Sequence, residues 1–293
     1  MSGRPIRDTA EGRVYLDLQN LARQAGRPSD ELQQLYALEG FLDRLTRSAH
    51  ADRFVLKGGV LLAAFDTRRP TRDVDLAARD LHNSAEAVRR IVVEIVKIEL
   101  HDGLALDSQA ITAEVIRVGD AYSGVRVSVS GTLASARLLF HVDINVGDPI
   151  SPAAETVSLP RLLGGELVVT GYPLAEKIVT AVQRGTANTR WRDFTDVARL
   201  AAVHRVDGGR LSESLRGVAE HREAALSPLA DVLEGYAGAA QGRWSAWRRK
   251  HRLEEVTAEY FEDLLAQVVA FADPVLTGEV HGHTWDPTSR GWD

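Results

Sequence analysis

The hydrophobic period of this chain switches from helical to alternating and back, and the switches divide it. Val14 to Leu21 reads as a short helix. Ser29 stands as an N-cap, with Asp30 and Glu31 in the first turn, where carboxylates suit the positive end of a helix. Leu32, Leu35, Leu38, Leu42 and Leu45 then recur at helical spacing to about Ser48. Phe54-Val55-Leu56 reads as a buried strand that runs into Lys57-Gly58-Gly59 and an apolar helix from Val60 to Phe65. Asp73-Val74-Asp75-Leu76 alternates carboxylate and apolar residue, as a strand with one wet face does. Ser84 caps a helix whose buried face is Val88, Ile91, Val92, Ile95 and Ile98.

The middle of the chain alternates. Ile111 to Val118 predicts one strand, and Val125, Val127 and Val129 between Arg126, Ser128 and Ser130 predict a half-buried second. Leu138 to Val146 predicts a third, with Leu139, His141, Asp143 and Asn145 on one face. From Pro173 the period is helical. Ala175 to Gln183, Phe194 to Val203, Leu211 to Gly235, Arg243 to His251 and Val256 to Phe271 read as helices, and the tail after Pro274 reads as irregular. The pattern predicts N-terminal helices with an α/β core over residues 1–152 and a mainly helical domain over 171–293, with the boundary between 152 and 171.

Composition narrows the classes. At 293 residues the chain is long enough for one large core or two fused ones. The absence of cysteine excludes disulfides and thiolate metal sites. The polar N-terminus and the lack of a membrane-length apolar run point to the cytoplasm. A net charge of −6 removes a global basic field for nucleic acid, so any such partner must meet local clusters. Arg68, Arg69 and Arg72 form one such cluster, and Arg184, Arg190 and Arg192 another. A third runs from Arg243-Trp244 through Trp247 to Arg252, for which a solvated helix face with tryptophans in the core is the simpler reading.

Candidate chemistry sits at the period changes. Asp73 and Asp75, two apart on a strand, project to one side and offer hard oxygens to Mg²⁺ or Mn²⁺. Gly58 and Gly59, before a helix, allow backbone N–H groups to approach phosphate. Asp143, an acid in an apolar strand, is expensive to bury unpaired. A metal removes that cost, and so does a position facing solvent; spacing leaves both open. His141 reads as a strand-face packing residue. Lys177 lies on an apolar helix, where a triphosphate or a snorkelling conformation resolves its charge. Asp193 and Asp196 share a helix face, with capping or pairing to Arg192 or Arg199 as the plainer alternative.

These residues carry a resemblance. Phe54 to Gly59, Arg69 to Leu76, Leu35 to Leu45, His141 to Ile144, Ala175-Glu176-Lys177, Arg190 to Asp196 and Trp285-x-Pro287 together resemble the AbiEii-type nucleotidyltransferase toxins. These are the toxin halves of type IV toxin–antitoxin and abortive-infection systems, among them the mycobacterial MenT toxins. The resemblance implies a polymerase β-like nucleotidyltransferase core with a helical C-terminal portion, a divalent metal and an NTP substrate. It implies nucleotide addition to the 3′ end of tRNA, which blocks aminoacylation, and a cognate antitoxin. Carried over, Asp73 and Asp75 match the metal pair, with Asp143 as a further ligand. Lys177 matches the nucleotide-binding lysine, and Asp193 or Asp196 the later catalytic acid. Lys57, Gly58, Gly59, Thr71 and Arg190 fall around the bound nucleotide. Thr71 also falls where a relative carries a serine whose phosphorylation silences the toxin, and Gly59 stands where the family often has serine or alanine. A protein or small-molecule acceptor, a nucleotide-binding module without turnover, and phosphate hydrolysis are the rival expectations.

Overall fold

The computed structural model describes residues 5–57, 72–79, 81, 84–117, 123–146, 155–171, 174–251 and 253–293. The chain divides into two compact units, Met1–Ile150 with Ala154–Tyr172, and Ser151–Ala153 with Pro173–Asp293.

In the first unit, α1 (Ala10–Gln24) and α2 (Ser29–Thr46) precede β1 (Phe54–Lys57) and β2 (Asp73–Ala78). Then come α3 (Ala85–Val96), β3 (Leu104–Leu106), β4 (Thr112–Arg117), β5 (Ser123–Leu133), β6 (Ala136–Val146), β7 (Glu155–Pro160) and β8 (Glu166–Gly171). The first helix is longer than its apolar spacing predicts, because Thr9 accepts from the Gly12 N–H and caps it. Pro28, not Ser29, is the N-cap of α2. The strands form one mixed sheet in the order β3-β5-β6-β2-β1-β8-β7, with β4 also pairing β5. The β2–β6 and β1–β8 pairs are parallel and the other pairs antiparallel.

Alternation settles which way each strand faces. Val125, Val127 and Val129 of β5, Phe140, Val142 and Ile144 of β6, and Val74 and Leu76 of β2 are buried in one core with the apolar faces of α1, α2 and α3. Their alternates, Arg126 and Ser128, His141, Asp143 and Asn145, and Asp73 and Asp75, therefore occupy the opposite face. The expected polar face of β6 and wet face of β2 are both present.

Strands β7 and β8 do not stand out in the sequence. They form a hairpin, and β8 pairs β1 with Leu56 opposite Gly171. Buried charges on α2 hold this hairpin in place. Both Glu39 oxygens accept from the Leu162 N–H, at 3.1 and 3.2 Å. Asp43 accepts from the Arg161 guanidinium and from Arg47 at 2.7 Å. Arg44, almost fully buried, forks onto Asp102 at 2.6 and 3.2 Å, while the Tyr36 hydroxyl donates to the Asp102 carbonyl at 2.9 Å. Burial pushes the Asp43 carboxyl up, but the hydrogen bonds and charges of Arg47 and Arg161 outweigh it and hold the group below its ordinary value. Asp43→Ala should therefore cost about 2–3 kcal/mol at pH 7. A depressed folded pKa contributes stability above the unfolded value of about 3.9 and loses it as pH falls through the folded value. The gap between wild type and variant in urea unfolding should thus narrow below about pH 4.

The second unit is mainly helical: α4 (Ala175–Arg184), α5 (Trp191–Val203), α6 (Gly208–His221), α7 (Leu229–Val232), α8 (Tyr236–His251) and α9 (Phe261–Leu276). The single helix expected over 211–235 is interrupted at 222–228, where Glu223 takes a positive φ of 49° and Pro228 precedes the restart. The helix expected from Val256 begins at Phe261 instead, because residues before it form turns held by Arg248. That guanidinium is buried and donates to the Thr257 hydroxyl at 2.9 Å and to the Glu254 carbonyl at 2.6 Å. The tail expected to be irregular forms β10 (Thr284–Asp286) and β11 (Gly291–Trp292), which extend β9 (Val206–Asp207) into a small antiparallel sheet. Trp285 anchors it by donating to the Ala201 carbonyl at 2.6 Å. No described helix is long and apolar enough to cross a membrane.

Candidate active site

A row of charge crosses the polar face of the sheet. Asp75 lies opposite Lys57 of β1 on one side and opposite Asp143 of β6 on the other, and Asp143 lies opposite Arg126 of β5. With strands about 4.8 Å apart, four ionic residues distant in sequence become neighbours in the order cation, anion, anion, cation. Like charges directly across strands repel, and here each carboxylate has a cation on its other side. Lys57 itself is buried. Two residues along the same face, Asp73 lies opposite His141, whose Nδ1 is 3.2 Å from Asp73 Oδ1. His141 is thus more than a packing residue: it braces the first carboxylate.

Asp143 has a partner that the sequence does not announce. Arg126 forks onto it, Nε to Oδ1 at 2.8 Å and Nη2 to Oδ2 at 2.7 Å. These hydrogen bonds hold the guanidinium above its ordinary range against the effect of burial, with the charges of Asp143, Asp73 and Glu114 adding to them. The cost of an unpaired acid in this strand, one reason to expect a metal on Asp143, is therefore met by Arg126. The signal was the alternation of β5, which puts Arg126 on the wet face; its meaning needs the β5–β6 register.

The donor chemistry of Asp73 and Asp75 fits a divalent cation: two hard carboxylates, two residues apart on one strand face. The three-carboxylate set does not assemble with them. Among the described residues no three His, Cys, Asp or Glu side chains converge as a cation cage requires, and both Asp143 oxygens face Arg126.

The second unit carries another cluster. Lys177 on α4 donates to Asp193 Oδ1 and to Asp196 Oδ2, each at 2.9 Å, and Arg190 Nε lies 2.9 Å from Asp193 Oδ2. Asp193 and Asp196 share one face of α5, one turn apart. The partner expected from a triphosphate is thus supplied by two aspartates, and Asp196 is paired with Lys177. Burial alone would lower the Lys177 pKa; Asp196 and Asp193 more than reverse this, so the ammonium is held above its ordinary value. Two of its three donors are committed, and its side chain keeps 13% exposure, which leaves one N–H for a phosphate oxygen. Asp196 is 0% exposed, so of the two acids Asp193 is the one nearer solvent.

Aromatic packing fixes the start of α5. Trp191 stacks on Tyr236 at 6.0 Å and meets Phe261 edge-on at 5.1 Å, Phe194 meets the same ring, and the Tyr236 hydroxyl donates to the Asn188 carbonyl. Asp193, between Trp191 and Phe194, inherits this order. Trp244 is in the core and Trp247 stacks on it at 5.3 Å, as the simpler reading of that run expects, but Arg248 is buried rather than solvated. Arg72, Arg184, Arg190, Arg192 and Arg243 are exposed. Gly58, Gly59 and Thr71, with Arg68, Arg69 and the helix expected over 60–65, lie outside the described residues.

Comparison with known proteins adds what geometry does not. None of the curated proteins aligns significantly with the chain. Two solved structures from Helicobacter pylori are similar to it at 14% identity. One is JHP933, with a TM-score of 0.48 over 86% of this chain and 94% of that one. The other is described as a nucleotidyltransferase, with a TM-score of 0.43 over 86% of this chain and 96% of that one. The profile of the nucleotidyl transferase AbiEii toxins of type IV toxin–antitoxin systems matches residues 40–281. That span takes in the carboxylate row, the lysine cluster and most of the chain, and the protein belongs to the AbiEii nucleotidyltransferase toxin family.

Proposed function

We propose that this toxin transfers a nucleotide from an NTP to the 3′-hydroxyl of tRNA, with Mg²⁺ or Mn²⁺ as the required ion. The attacking hydroxyl oxygen bonds to the α-phosphorus, the bond from that phosphorus to the α,β-bridging oxygen breaks, and pyrophosphate leaves. The hydroxyl proton passes to a carboxylate or to water. A 3′ end extended in this way cannot be aminoacylated, which stops translation in the cytoplasm. The observation that carries the reading is the placement of Asp73 and Asp75 side by side on the polar face of β2, braced by His141 and flanked by charge.

Asp73 and Asp75 would hold the ion, whose chemistry is to polarise phosphate oxygens and lower the pKa of the attacking hydroxyl. Lys177 uses its remaining N–H on a nucleotide phosphate, where a positioned cation stabilises charge as it builds. Asp196, fully buried, positions Lys177, and Asp193, steadied by Arg190, is the acid available to the reaction. Lys57, beside Asp75 in the row, keeps two adjacent carboxylates tolerable. The exposed arginines 72, 184, 190 and 192 supply local positive charge for phosphates on an otherwise acidic protein. A cognate antitoxin follows from family membership.

Incubating the protein with each α-labelled NTP in turn, against total tRNA, total protein and small-molecule extracts separately, tests this. The expected result is label in tRNA alone, lost on chelation. Label in protein or in a small molecule would redirect the acceptor. Free phosphate without any labelled acceptor would replace transfer by hydrolysis, and nucleotide binding without product would reduce the chain to a binding module.

A further inference from the structure

Arg126 lies between two carboxylates and bonds to only one. On β6, Asp143 takes its fork at 2.7 and 2.8 Å. On β4, Glu114 lies directly opposite it, is exposed, and adds to the charge that holds the guanidinium proton. The two acids flank Arg126 in one cross-strand row, in which Asp75 is the next residue beyond Asp143. We infer that Arg126 is a two-position counter-cation: it rests on Asp143, competes there with the divalent ion, and moves toward Glu114 when the ion draws Asp143 in. The inference rests on the reading of Asp73 and Asp75 as the ion's ligands.

Three physical points support it. A guanidinium bound bidentately to a carboxylate neutralises the charge that would attract a cation to the same oxygens. Asp143 stands one strand from Asp75, about 4.8 Å away, so an ion on Asp75 feels both the carboxylate and the guanidinium covering it. Arg126 is also less confined than a buried arginine in a similar fork. Its side chain is 36% exposed, whereas Arg44, in the comparable fork on Asp102, is 3% exposed and locked in place. A partly exposed guanidinium loses less hydration energy by changing partners than a buried one, and Glu114 gives it somewhere to go. Arg126 and Glu114 thus have opposite effects: removing Arg126 favours the ion, and removing Glu114 disfavours it.

Mn²⁺ titration by calorimetry on the full chain tests this, using wild type, Arg126→Met, Glu114→Gln and the double variant Arg126→Met/Asp143→Asn, each checked for cooperative thermal unfolding. Arg126→Met should bind Mn²⁺ on the order of tenfold more tightly than wild type. The double variant should lose that gain, and Glu114→Gln should bind several-fold more weakly. Equal affinity in wild type and Arg126→Met overturns the inference while leaving Asp73 and Asp75 as ligands. If Arg126→Met does not fold, Glu114→Gln decides, and unchanged affinity there overturns it. No binding by any of the four proteins overturns the underlying metal reading instead.

Discussion

An Asp75→Asn protein should unfold within about 1 kcal/mol of wild type and transfer nucleotide about a thousandfold more slowly. The two effects separate because of where Asp75 sits. It is only half-buried, its place in the strand is fixed by Val74 and Leu76 in the core, and asparagine fills the same volume. Loss of its charge removes a like-charge neighbour from Asp143 and an opposite-charge neighbour from Lys57, so the row's electrostatics nearly cancel. The chemistry has no such compensation, since an amide oxygen is neutral and a poor substitute for a carboxylate at a divalent ion. Initial rates with labelled NTP, paired with urea unfolding, measure both quantities. A variant that loses activity only because it unfolds would remove Asp75 from the chemistry.

Lys177→Met should lower stability by about 3–5 kcal/mol, the usual cost of leaving one side of a buried ion pair uncompensated. Methionine fills the space but leaves Asp193 and the wholly buried Asp196 facing each other without the ammonium. The pH dependence has a definite sign. Because the folded Lys177 pKa is raised, its contribution is complete below the unfolded value of about 10.4 and is lost only as pH rises through the folded one. The deficit of the variant should therefore be the same at pH 7 and pH 9.5. It should shrink under acid, where the two carboxylates can protonate. Asp193→Asn, which leaves Lys177 with Asp196, should cost less. Denaturant midpoints across that range settle it. A Lys177→Met protein within about 1 kcal/mol of wild type would mean that the ammonium is not what makes the two aspartates tolerable at depth.

Alternation was the most readable signal in the sequence. It identified β2 with Asp73 and Asp75 on its wet face, β6 with His141 and Asp143, and β5 with its three buried valines, because period-two burial is a local property of the chain. What depends on pairing was not readable in this way. Arg126 belonged visibly to a polar face, but its bond to Asp143 follows from the β5–β6 register. Lys177, Asp193 and Asp196 were each conspicuous, but their union depends on how α4 packs against α5. The hairpin β7–β8 is not legible locally because its place depends on contacts distant in sequence, with Glu39 and Asp43 of α2 at its turn and β1 at its edge. Helix limits failed where tertiary contacts override propensity, as at Pro228 and at the loop that Arg248 pins.

Nucleotide transfer to RNA should depend on the paired carboxylates of β2. The most direct measurement is incorporation of each of the four α-labelled NTPs into purified tRNA, with the modified end mapped, for wild type, Asp73→Asn and Asp75→Asn, at millimolar Mg²⁺ and in excess chelator. Wild type with Mg²⁺ should label the 3′ end of tRNA, and both variants and the chelated reaction should give background. Undiminished label from either variant, or from wild type stripped of divalent ions, would contradict that dependence.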